Sequence, residues 1–305
     1  MGIIRRRIVA GIAGAVTLAL ALTGCGGKAA VKEITMASRD YAEHAIMVEM
    51  AKALIEAHTD IKVKHLPNME FRVIVQASKS GDVDAYLTYS GTQFTTVLGQ
   101  EVTAAWTDPE KVLEYVEREV DRQYDMKIMN RLGFDNTYAV AVRREFAEAN
   151  GIRTISDLKA HAPDMTMATD ADFLNREEVM SYRNFKNVYG LEFKKAVAMS
   201  YGLLYRAARS RDVDAIMAYS SDGRIPAMDL TILQDDKRFF PPYDAMFIIR
   251  KETLKKYPEL YGVLDKLSGR ISQETMQHLN YLADVEGRDC KEIAVEFLKE
   301  QGLID

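Results

Sequence analysis

The sequence contains few of the residues from which metal centres and nucleophilic active sites are built. It has two cysteines and five histidines among 305 residues. The histidines show no metal-ligand spacing such as His-x-x-x-His, and no Gly-x-Ser-x-Gly turn or glycine-rich phosphate loop occurs. These absences argue against an enzyme, and we expect no catalytic residue, no cofactor and no metal.

Charge of one sign is not gathered into any long block. The 45 acidic side chains nearly balance the 40 basic ones, which leaves a net charge of −5. Nucleic acids and anionic membrane surfaces attract clusters of lysine and arginine. We therefore expect no nucleic-acid partner and no polybasic membrane contact.

Long apolar runs are confined to the amino terminus. After three arginines, an uncharged run extends from Ile8 to Leu22 and is followed by Thr23, Gly24 and Cys25. This run is shorter than the roughly 20 residues needed to cross a bilayer. Its length and its basic flank fit the apolar core of a signal peptide.

The segment that ends at Cys25 is similar to a lipoprotein signal, in which the cysteine becomes the acylated amino terminus after cleavage. We therefore expect a signal peptide over residues 1–24, and a lipidated Cys25 with a flexible tether over residues 25–31. The protein would then be extracytoplasmic and held at the cell membrane by its lipid anchor. An ordinary secretory signal with an unmodified cysteine is the alternative.

Lipidation of Cys25 would leave Cys290 as the remaining cysteine, so no internal disulfide could form. About 280 residues follow Cys25, and hydrophobic residues make up 48% of the sequence. This length and composition suffice for two lobes of ordinary domain size, each stabilised by a hydrophobic core.

Two stretches of the chain, 130 positions apart, repeat one pattern. In residues 79–90 and 209–220, a basic residue, a turn and an acidic strand start are followed at identical spacing by a tyrosine and a serine. Open α/β sheets bind ligands at the carboxyl ends of their strands, so Tyr89 and Tyr219 are predicted to point from two lobes into one cleft. Turn and capping roles are expected for the acidic residues of the repeat, which are Asp82, Asp84, Asp212 and Asp214.

Strand and helix signals alternate along the chain, which indicates an α/β fold. Apolar segments over residues 138–142 and 245–249 are predicted near two crossings between the lobes. We place the first lobe at residues 32–139 plus 245–305 and the second lobe at residues 140–244. Two crossings make a hinge, and a hinged, exported, two-lobed protein is typical of the solute-binding component of a membrane transporter.

Seven segments, in order and with compatible spacing, closely resemble the glycine betaine/carnitine/choline binding lipoproteins of ABC importers. They are residues 38–43, 79–92, 136–139, 202–205, 219–224, 235–243 and 280–287. The resemblance implies a two-lobed periplasmic-binding-protein fold of type II-like topology. It also implies capture of a quaternary-ammonium solute and its delivery to an ABC permease and ATPase complex. A structural or adhesive lipoprotein would not need an aromatic site repeated across two lobes.

The resemblance also implies which residues contact the ligand. A quaternary ammonium group cannot donate hydrogen bonds and is attracted to the faces of aromatic rings. By motif position, the tyrosine box of the family corresponds to Tyr89, Tyr138, Tyr219 and Tyr243. The resemblance places three further residues near a ligand carboxylate: Arg39, where the family usually has lysine, Thr92 and Arg176.

The sequence departs from the family pattern at two places. Residues 68–72 read Asn-Met-Glu-Phe-Arg where the family has glycine and small hydroxyl residues, and Tyr201 precedes Gly202 where proline is common. The bulky and charged side chains over 68–72 are expected to narrow the pocket or to offer a counter-charge. Altered specificity, for a larger betaine-like compound of the ergothioneine or carnitine type, is therefore the alternative to glycine betaine or choline.

Overall fold

Ten strands form two five-stranded sheets in the computed structural model, which describes residues 31–305 except 176, 178 and 179. Sheet A contains β1 (Glu33–Ala37), β2 (Lys62–Leu66), β3 (Ala85–Tyr89), β4 (Met126–Ile128) and β10 (Ala245–Arg250). Sheet B contains β5 (Tyr138–Arg143), β6 (Thr166–Thr169), β7 (Lys195–Ala198), β8 (Ala215–Tyr219) and β9 (Leu230–Ile232). The predicted signal peptide, Cys25 and Arg176 lie outside the described residues.

The two sheets share one architecture. The spatial order is β2-β1-β3-β10-β4 in sheet A and β7-β6-β8-β5-β9 in sheet B. In each sheet the first three strands are parallel, and the fourth strand runs antiparallel to both of its neighbours. That fourth strand enters its sheet directly after the chain has crossed from the other sheet. The predicted two-lobed α/β fold is confirmed.

Helices cover both sheets. The helices that precede residue 176 are α1 (Ala42–His58), α2 (Phe71–Ser80), α3 (Ser90–Thr92), α4 (Pro109–Tyr124), α5 (Arg144–Asn150) and α6 (Ala171–Asn175). The helices that follow it are α7 (Tyr182–Tyr189), α8 (Tyr201–Arg209), α9 (Arg224–Ala227), α10 (Lys251–Lys256), α11 (Glu259–Leu264), α12 (Gln273–Asp284) and α13 (Cys290–Glu300). A π-helical turn covers Gln93–Val97, and 3-10 turns cover Ala104–Trp106, Ser156–Ala160, Ala162–Asp164 and Asp265–Leu267.

Local sequence signals explain where several of these helices lie. The apolar residues of α1 recur at helical spacing, and Ile46, Met50 and Leu54 are fully buried. Helix α2 stops at Gly81, whose φ of 94° is readily adopted only by glycine. Helix α4 begins after Asp108, whose carboxylate accepts hydrogen bonds from two backbone N–H groups of the first turn.

The repeat seen in the sequence is also a repeat in the structure. Oδ2 of Asp84 accepts a hydrogen bond from the backbone N–H of Thr35 at 2.7 Å, and Oδ2 of Asp214 accepts one from Thr166 at 2.8 Å. Each carboxylate therefore ties the start of a tyrosine-bearing strand, β3 or β8, to its parallel neighbour. These aspartates lie at the opposite strand ends from the tyrosines and have structural roles.

The two crossings between the sheets run side by side. Asp135, in the first crossing, and Asp244, in the second, form an isolated antiparallel bridge. The N–H of Asn136 donates to the carbonyl of Tyr243 at 3.1 Å. The hinge is therefore a hydrogen-bonded pair of segments rather than two independent loops.

A serine after each repeated tyrosine fastens one of these crossings. Oγ of Ser90 accepts a hydrogen bond from the N–H of Asp244, and Oγ of Ser220 accepts one from the N–H of Thr137, each at 3.0 Å. Because each serine directly follows the last residue of β3 or β8, the hinge is attached to the strand ends that carry the predicted ligand-binding rings.

Strand β5 belongs wholly to sheet B. In its antiparallel pairing with β8, Tyr138 lies opposite Tyr219 and Ala139 lies opposite Ala218. The lobe boundary was predicted after residue 139, which lies inside β5, a strand of sheet B. Only the long-range pairing with β8 shows where this strand begins. We propose Thr137 as the end of the first crossing, and the return strand β10 begins at Ala245.

The carboxyl-terminal helices return to the first lobe. Helix α13 packs against α1, and Ile293, Phe297 and Leu298 are buried in the core that includes Met47. Residues 32–305 form one compact unit. Among the residues that the structure describes, no helix is both long enough and apolar enough to span a bilayer.

Candidate ligand-binding cleft

A cavity of about 840 Å³ is lined by side chains from both lobes. Six of the seven predicted ligand-binding residues line it: Arg39, Tyr89, Thr92, Tyr138, Tyr219 and Tyr243. A larger cavity of about 970 Å³, between α12 and β9, contains only Tyr138 of this set. We therefore place the candidate site in the first cavity, which we call the cleft.

Two of the tyrosine rings come from paired strands of the second lobe. The rings of Tyr138 and Tyr219 stack with their centroids 5.0 Å apart and their planes inclined by 29°. Tyr138 also contacts Phe173 and Phe240, at centroid distances of 5.4 and 5.9 Å. Because these phenylalanines are buried, the core of the second lobe fixes the orientation of the stacked pair.

The other two predicted rings come from the first lobe and the second crossing. Tyr89 ends β3 and is 4% exposed. Tyr243 lies against the backbone of Gly91, where an added Cβ would approach the Tyr243 ring to 2.8 Å. Glycine at position 91 therefore makes room for this ring, which explains the small residue two positions after Tyr89.

Arg39 lies at the cleft and contacts a fifth tyrosine. Its guanidinium group lies 5.0 Å from the centroid of the Tyr41 ring, and its Nη1 donates to the Tyr41 hydroxyl at 3.2 Å. Tyr41 is 37% exposed and also lines the cleft. Among the described residues, no carboxylate forms an ion pair with Arg39, so its charge is available to a ligand.

The departure from the family pattern over residues 68–72 does not act as expected. None of these five residues lines the cleft. Phe71 is buried against Tyr86, with ring centroids 6.4 Å apart, and its ring lies 5.9 Å from the Arg39 guanidinium. The expected narrowing of the pocket by this loop is therefore wrong, because its aromatic side chain enters the core instead of the cleft.

The carboxyl group of Glu43, at the start of α1, lies in the wall of the cleft and is 3% exposed. The Tyr89 hydroxyl donates to it, and the side-chain amide of Asn136 donates to Oε1 at 3.0 Å. The amide of Asn280 donates to Oε2 at 3.0 Å, and the Ser221 side chain forms a further hydrogen bond. Glu43 thus connects α1 with β3, the first crossing, α12 and the second lobe.

Burial and hydrogen bonding have opposite effects on the Glu43 carboxyl. Burial raises its pKa, whereas the hydrogen bonds from Ser221, Tyr89, Asn280 and Asn136 lower it, and the net direction is upward. The pKa of the Tyr89 hydroxyl is raised, first by burial and then by the negative charge of Glu43. The Tyr89 hydroxyl therefore stays protonated and donates a hydrogen bond to the carboxyl group.

Helix α12 holds the loop that follows Tyr219. The side-chain amide of Gln277 donates to the carbonyl of Ser220 at 2.7 Å, and that of Asn280 donates to the carbonyl of Ser221 at 2.9 Å. An added Cβ on Gly223 would lie 2.3 Å from the backbone nitrogen of Tyr281. Glycine is therefore required there, since the loop and the helix touch backbone to backbone.

A second arginine of the cleft is already paired. Both carboxylate oxygens of Asp222 accept hydrogen bonds from the Arg224 guanidinium, at 2.8 and 2.5 Å. The guanidinium also lies 4.5 Å from the centroid of the Tyr205 ring. Arg224 is therefore less available than Arg39 to bind a ligand carboxylate.

Four of the cleft residues that were not predicted as ligand contacts form the polar and aromatic contacts described above. They are Tyr41, Glu43, Asn136 and Asn280. All four lie inside segments that carry the family resemblance, so these segments were recognised in the sequence, but the roles of the four residues were not. The local sequence shows neither that Glu43 is buried nor which distant side chains surround it.

A hinged α/β protein whose two lobes enclose an aromatic and polar cleft has the architecture of a solute-binding protein. The family model described as the substrate binding domain of ABC-type glycine betaine transport systems (OpuAC) matches residues 32–300. The chain belongs to this family of extracytoplasmic substrate-binding proteins. Proteins of the family bind small ligands, act with permease partners and are not a class of enzymes.

Known proteins of similar sequence and structure agree with this assignment. The chain is 37% identical over 286 residues to the carnitine transport binding protein OpuCC of Listeria monocytogenes, covering 93% of this chain and 91% of that protein. It is 32% identical over 280 residues to the ergothioneine transport permease/ergothioneine binding protein EgtU of Helicobacter pylori, covering 89% of this chain but 48% of that protein. A crystal structure of a glycine betaine/carnitine/choline ABC transporter protein superposes with a TM-score of 0.85 and 34% identity, covering 89% of this chain and all of the other.

His44 lies beside the cleft without a hydrogen-bond partner for either ring nitrogen among the described residues. It is 1% exposed, and its ring packs edge to face against Tyr41 and Tyr89 at 4.6 and 5.6 Å. Burial, and secondarily the charge of Arg39, lowers the pKa of His44 to about 3. The ring therefore stays neutral beside the tyrosines.

The low pKa of His44 predicts a loss of stability in acid. Between about pH 6.5 and the folded-state pKa, the unfolded chain binds the proton that the folded chain excludes, so this residue lowers the free energy of unfolding as pH falls, by up to about 1.4 kcal/mol per pH unit. His44→Phe keeps a ring in place and should flatten the decline measured by denaturant unfolding between pH 6 and pH 4. His278→Phe, at an exposed histidine, should not. Parallel curves for the parent and His44→Phe would contradict the prediction.

Proposed function

We propose that the cleft captures a quaternary-ammonium solute of the glycine betaine, choline or carnitine type and presents it to an ABC permease and its ATPase. The observation that carries this proposal is the convergence of Tyr89, Tyr138, Tyr219 and Tyr243 on one cavity lined by both lobes. The similarity to the carnitine transport binding protein of Listeria monocytogenes supports it.

The aromatic lining suits the chemistry of such a ligand. A trimethylammonium group has no hydrogen to donate, and each favourable cation–π contact contributes about 0.5–2 kcal/mol. Micromolar affinity corresponds to roughly 8 kcal/mol. Several ring faces together can therefore supply a substantial part of the affinity, although their contributions do not add independently.

Arg39 and Thr92 are our candidates for the carboxylate end of a betaine. Both line the cleft, and Arg39 has no acidic partner among the described residues. A guanidinium can bind both oxygens of a carboxylate, and a hydroxyl can donate one further hydrogen bond. Arg176 is also proposed for this role, from the sequence resemblance alone.

Ergothioneine is the second candidate ligand. It carries a trimethylammonium group and a carboxylate, as glycine betaine does, together with a ring. The 32% identity to an ergothioneine binding protein favours testing it. The cleft volume of about 840 Å³ leaves room for a ligand larger than glycine betaine.

The cage can be tested at Tyr219, whose ring lies in the cleft. Tyr219→Phe keeps the ring face and should bind within about threefold of the parent, whereas Tyr219→Leu should weaken binding by roughly 1–2 kcal/mol. Calorimetric titration with glycine betaine, choline, carnitine and ergothioneine measures this, with thermal unfolding of each variant as the check on folding. Tyr261→Leu, on α11 and outside the cleft, is the matched control. Full affinity in Tyr219→Leu, or no binding of any of these ligands by the parent, would contradict the proposal.

The carboxylate role can be tested by comparing two ligands. Arg39→Ala should weaken glycine betaine by about 1.5–3 kcal/mol, the scale of a hydrogen bond to a charged group. Choline lacks the carboxylate and should lose much less. Arg39→Lys keeps the charge and should lie between the parent and Arg39→Ala, and the exposed Arg72→Ala should change neither ligand. Equal losses for both ligands would show that Arg39 supports the fold or lobe closure instead.

We also propose a lipid anchor at Cys25, which rests on the signal-like sequence before it. Cys25→Ala should release the protein from membranes or leave it as an uncleaved precursor, without changing ligand binding by the purified chain. Membrane fractionation and intact mass measure these outcomes, and Cys290→Ala controls for loss of a cysteine elsewhere. A cleaved Cys25→Ala protein that remained in the membrane fraction would rule out the anchor.

A further inference from the structure

The acidic side chains that line the cleft differ in how strongly their negative charge would act on a bound ligand. Asp222 is neutralised by the two hydrogen bonds from Arg224. Asp172 and Asp284 are exposed to solvent, which screens their charge. Glu43 remains as the buried carboxyl group of the lining, with no arginine or lysine paired to it among the described residues.

The partners of Glu43 favour its ionised form. The hydroxyl of Tyr89 and the amides of Asn136 and Asn280 all donate to its oxygens. An ionised carboxylate only accepts hydrogen bonds. A protonated carboxyl group has an O–H donor, which needs an acceptor among its neighbours. Burial raises the pKa of Glu43, but the amide nitrogens of Asn136 and Asn280 can only donate, so a protonated Glu43 would find no acceptor in either of them. These donors therefore oppose the effect of burial and favour the ionised form.

The same contacts connect that charge to the aromatic cage. The Tyr89 hydroxyl donates directly to Glu43, so the carboxylate polarises the phenol and makes its ring face a better partner for a cation. His44 packs on the Tyr89 ring from the side and is buried and neutral. This histidine therefore adds no positive charge that would weaken the attraction of the Tyr89 ring for a cation.

We propose that Glu43, acting through Tyr89, is the counter-charge that makes the cleft select a cation over a neutral solute of the same shape. This inference rests on the proposed function and adds a residue that the aromatic cage alone does not require. Burial in the cavity favours a trimethylammonium group and a tert-butyl group alike, and the ring faces add a moderate preference for the charged group. A buried carboxylate increases that preference, because it attracts only the charged group. Glu43 is a positioning and specificity-determining residue of the site.

The test compares each cation with its carbon isostere, in which a tert-butyl group replaces the trimethylammonium group. The two pairs are choline and glycine betaine with their respective isosteres, measured by calorimetry and by competition. The ratio of the two dissociation constants is the selectivity for charge. Glu43→Gln should reduce this ratio on the order of tenfold or more, because one buried charge is lost. Glu43→Asp keeps the charge and should retain most of the ratio, and Glu49→Gln, on the same helix but outside the cleft lining, should leave it unchanged.

Different outcomes separate this inference from a structural role and from the proposed function. If Glu43→Gln weakens the cation and the isostere by the same factor, Glu43 only maintains the fold, and the inference is wrong. If Glu43→Gln does not fold, Tyr89→Phe decides the question, because it removes the hydroxyl that links the ring to the carboxylate; an unchanged ratio there overturns the inference. A parent that binds no quaternary-ammonium compound overturns the proposed function and the inference together. If the parent binds choline but substitution of Glu43 leaves the ratio of dissociation constants unchanged, the inference alone is overturned.

Discussion

The hydrogen-bonded carboxyl group of Glu43 is the interaction on which the arrangement of the cleft depends most. Its donors are Tyr89 from the first lobe, Asn136 from the first crossing and Asn280 from α12, while Ser221 from the second lobe completes the set. A buried carboxyl group without partners would be strongly destabilising. The chain segments that supply these donors must therefore meet at one point, and the tyrosines next to them meet there as a consequence.

The pseudo-symmetry of the lobes explains the scaffold, and the breaking of that symmetry explains the site. Asp84 and Asp214 make the same hydrogen bond at the starts of β3 and β8. The equivalent tyrosines at the ends of these strands differ, because Tyr89 donates to a buried carboxyl group whereas Tyr219 stacks on Tyr138. A duplicated α/β unit thus supplies two rings at matched positions, and distinct neighbours give each ring a distinct electrostatic environment.

The sequence predicts well what local patterns determine. The regular apolar spacing of residues 42–58 accounts for helix α1, and Gly81 accounts for the end of α2, because a left-handed residue is needed there. The parts that were missed depend on distant pairings. Asn280 lies 237 positions from Glu43, and Asn136 lies 93 positions from it. No local pattern could therefore show that this glutamate is buried among amide donors.

The groups that we propose to hold the two ends of a zwitterionic ligand differ in rigidity. Tyr138 and Tyr219 are fixed by strand pairing and by buried phenylalanines. Arg39 contacts the rings of Tyr41 and Phe71, forms no ion pair with a carboxylate among the described residues, and Tyr41 is itself more than a third exposed. Long side chains with few partners can adjust at low cost, whereas packed rings cannot. If the cleft binds betaines as we propose, we therefore expect the cation end to be the constant part of recognition, with differences in ligand length accommodated at the arginine end.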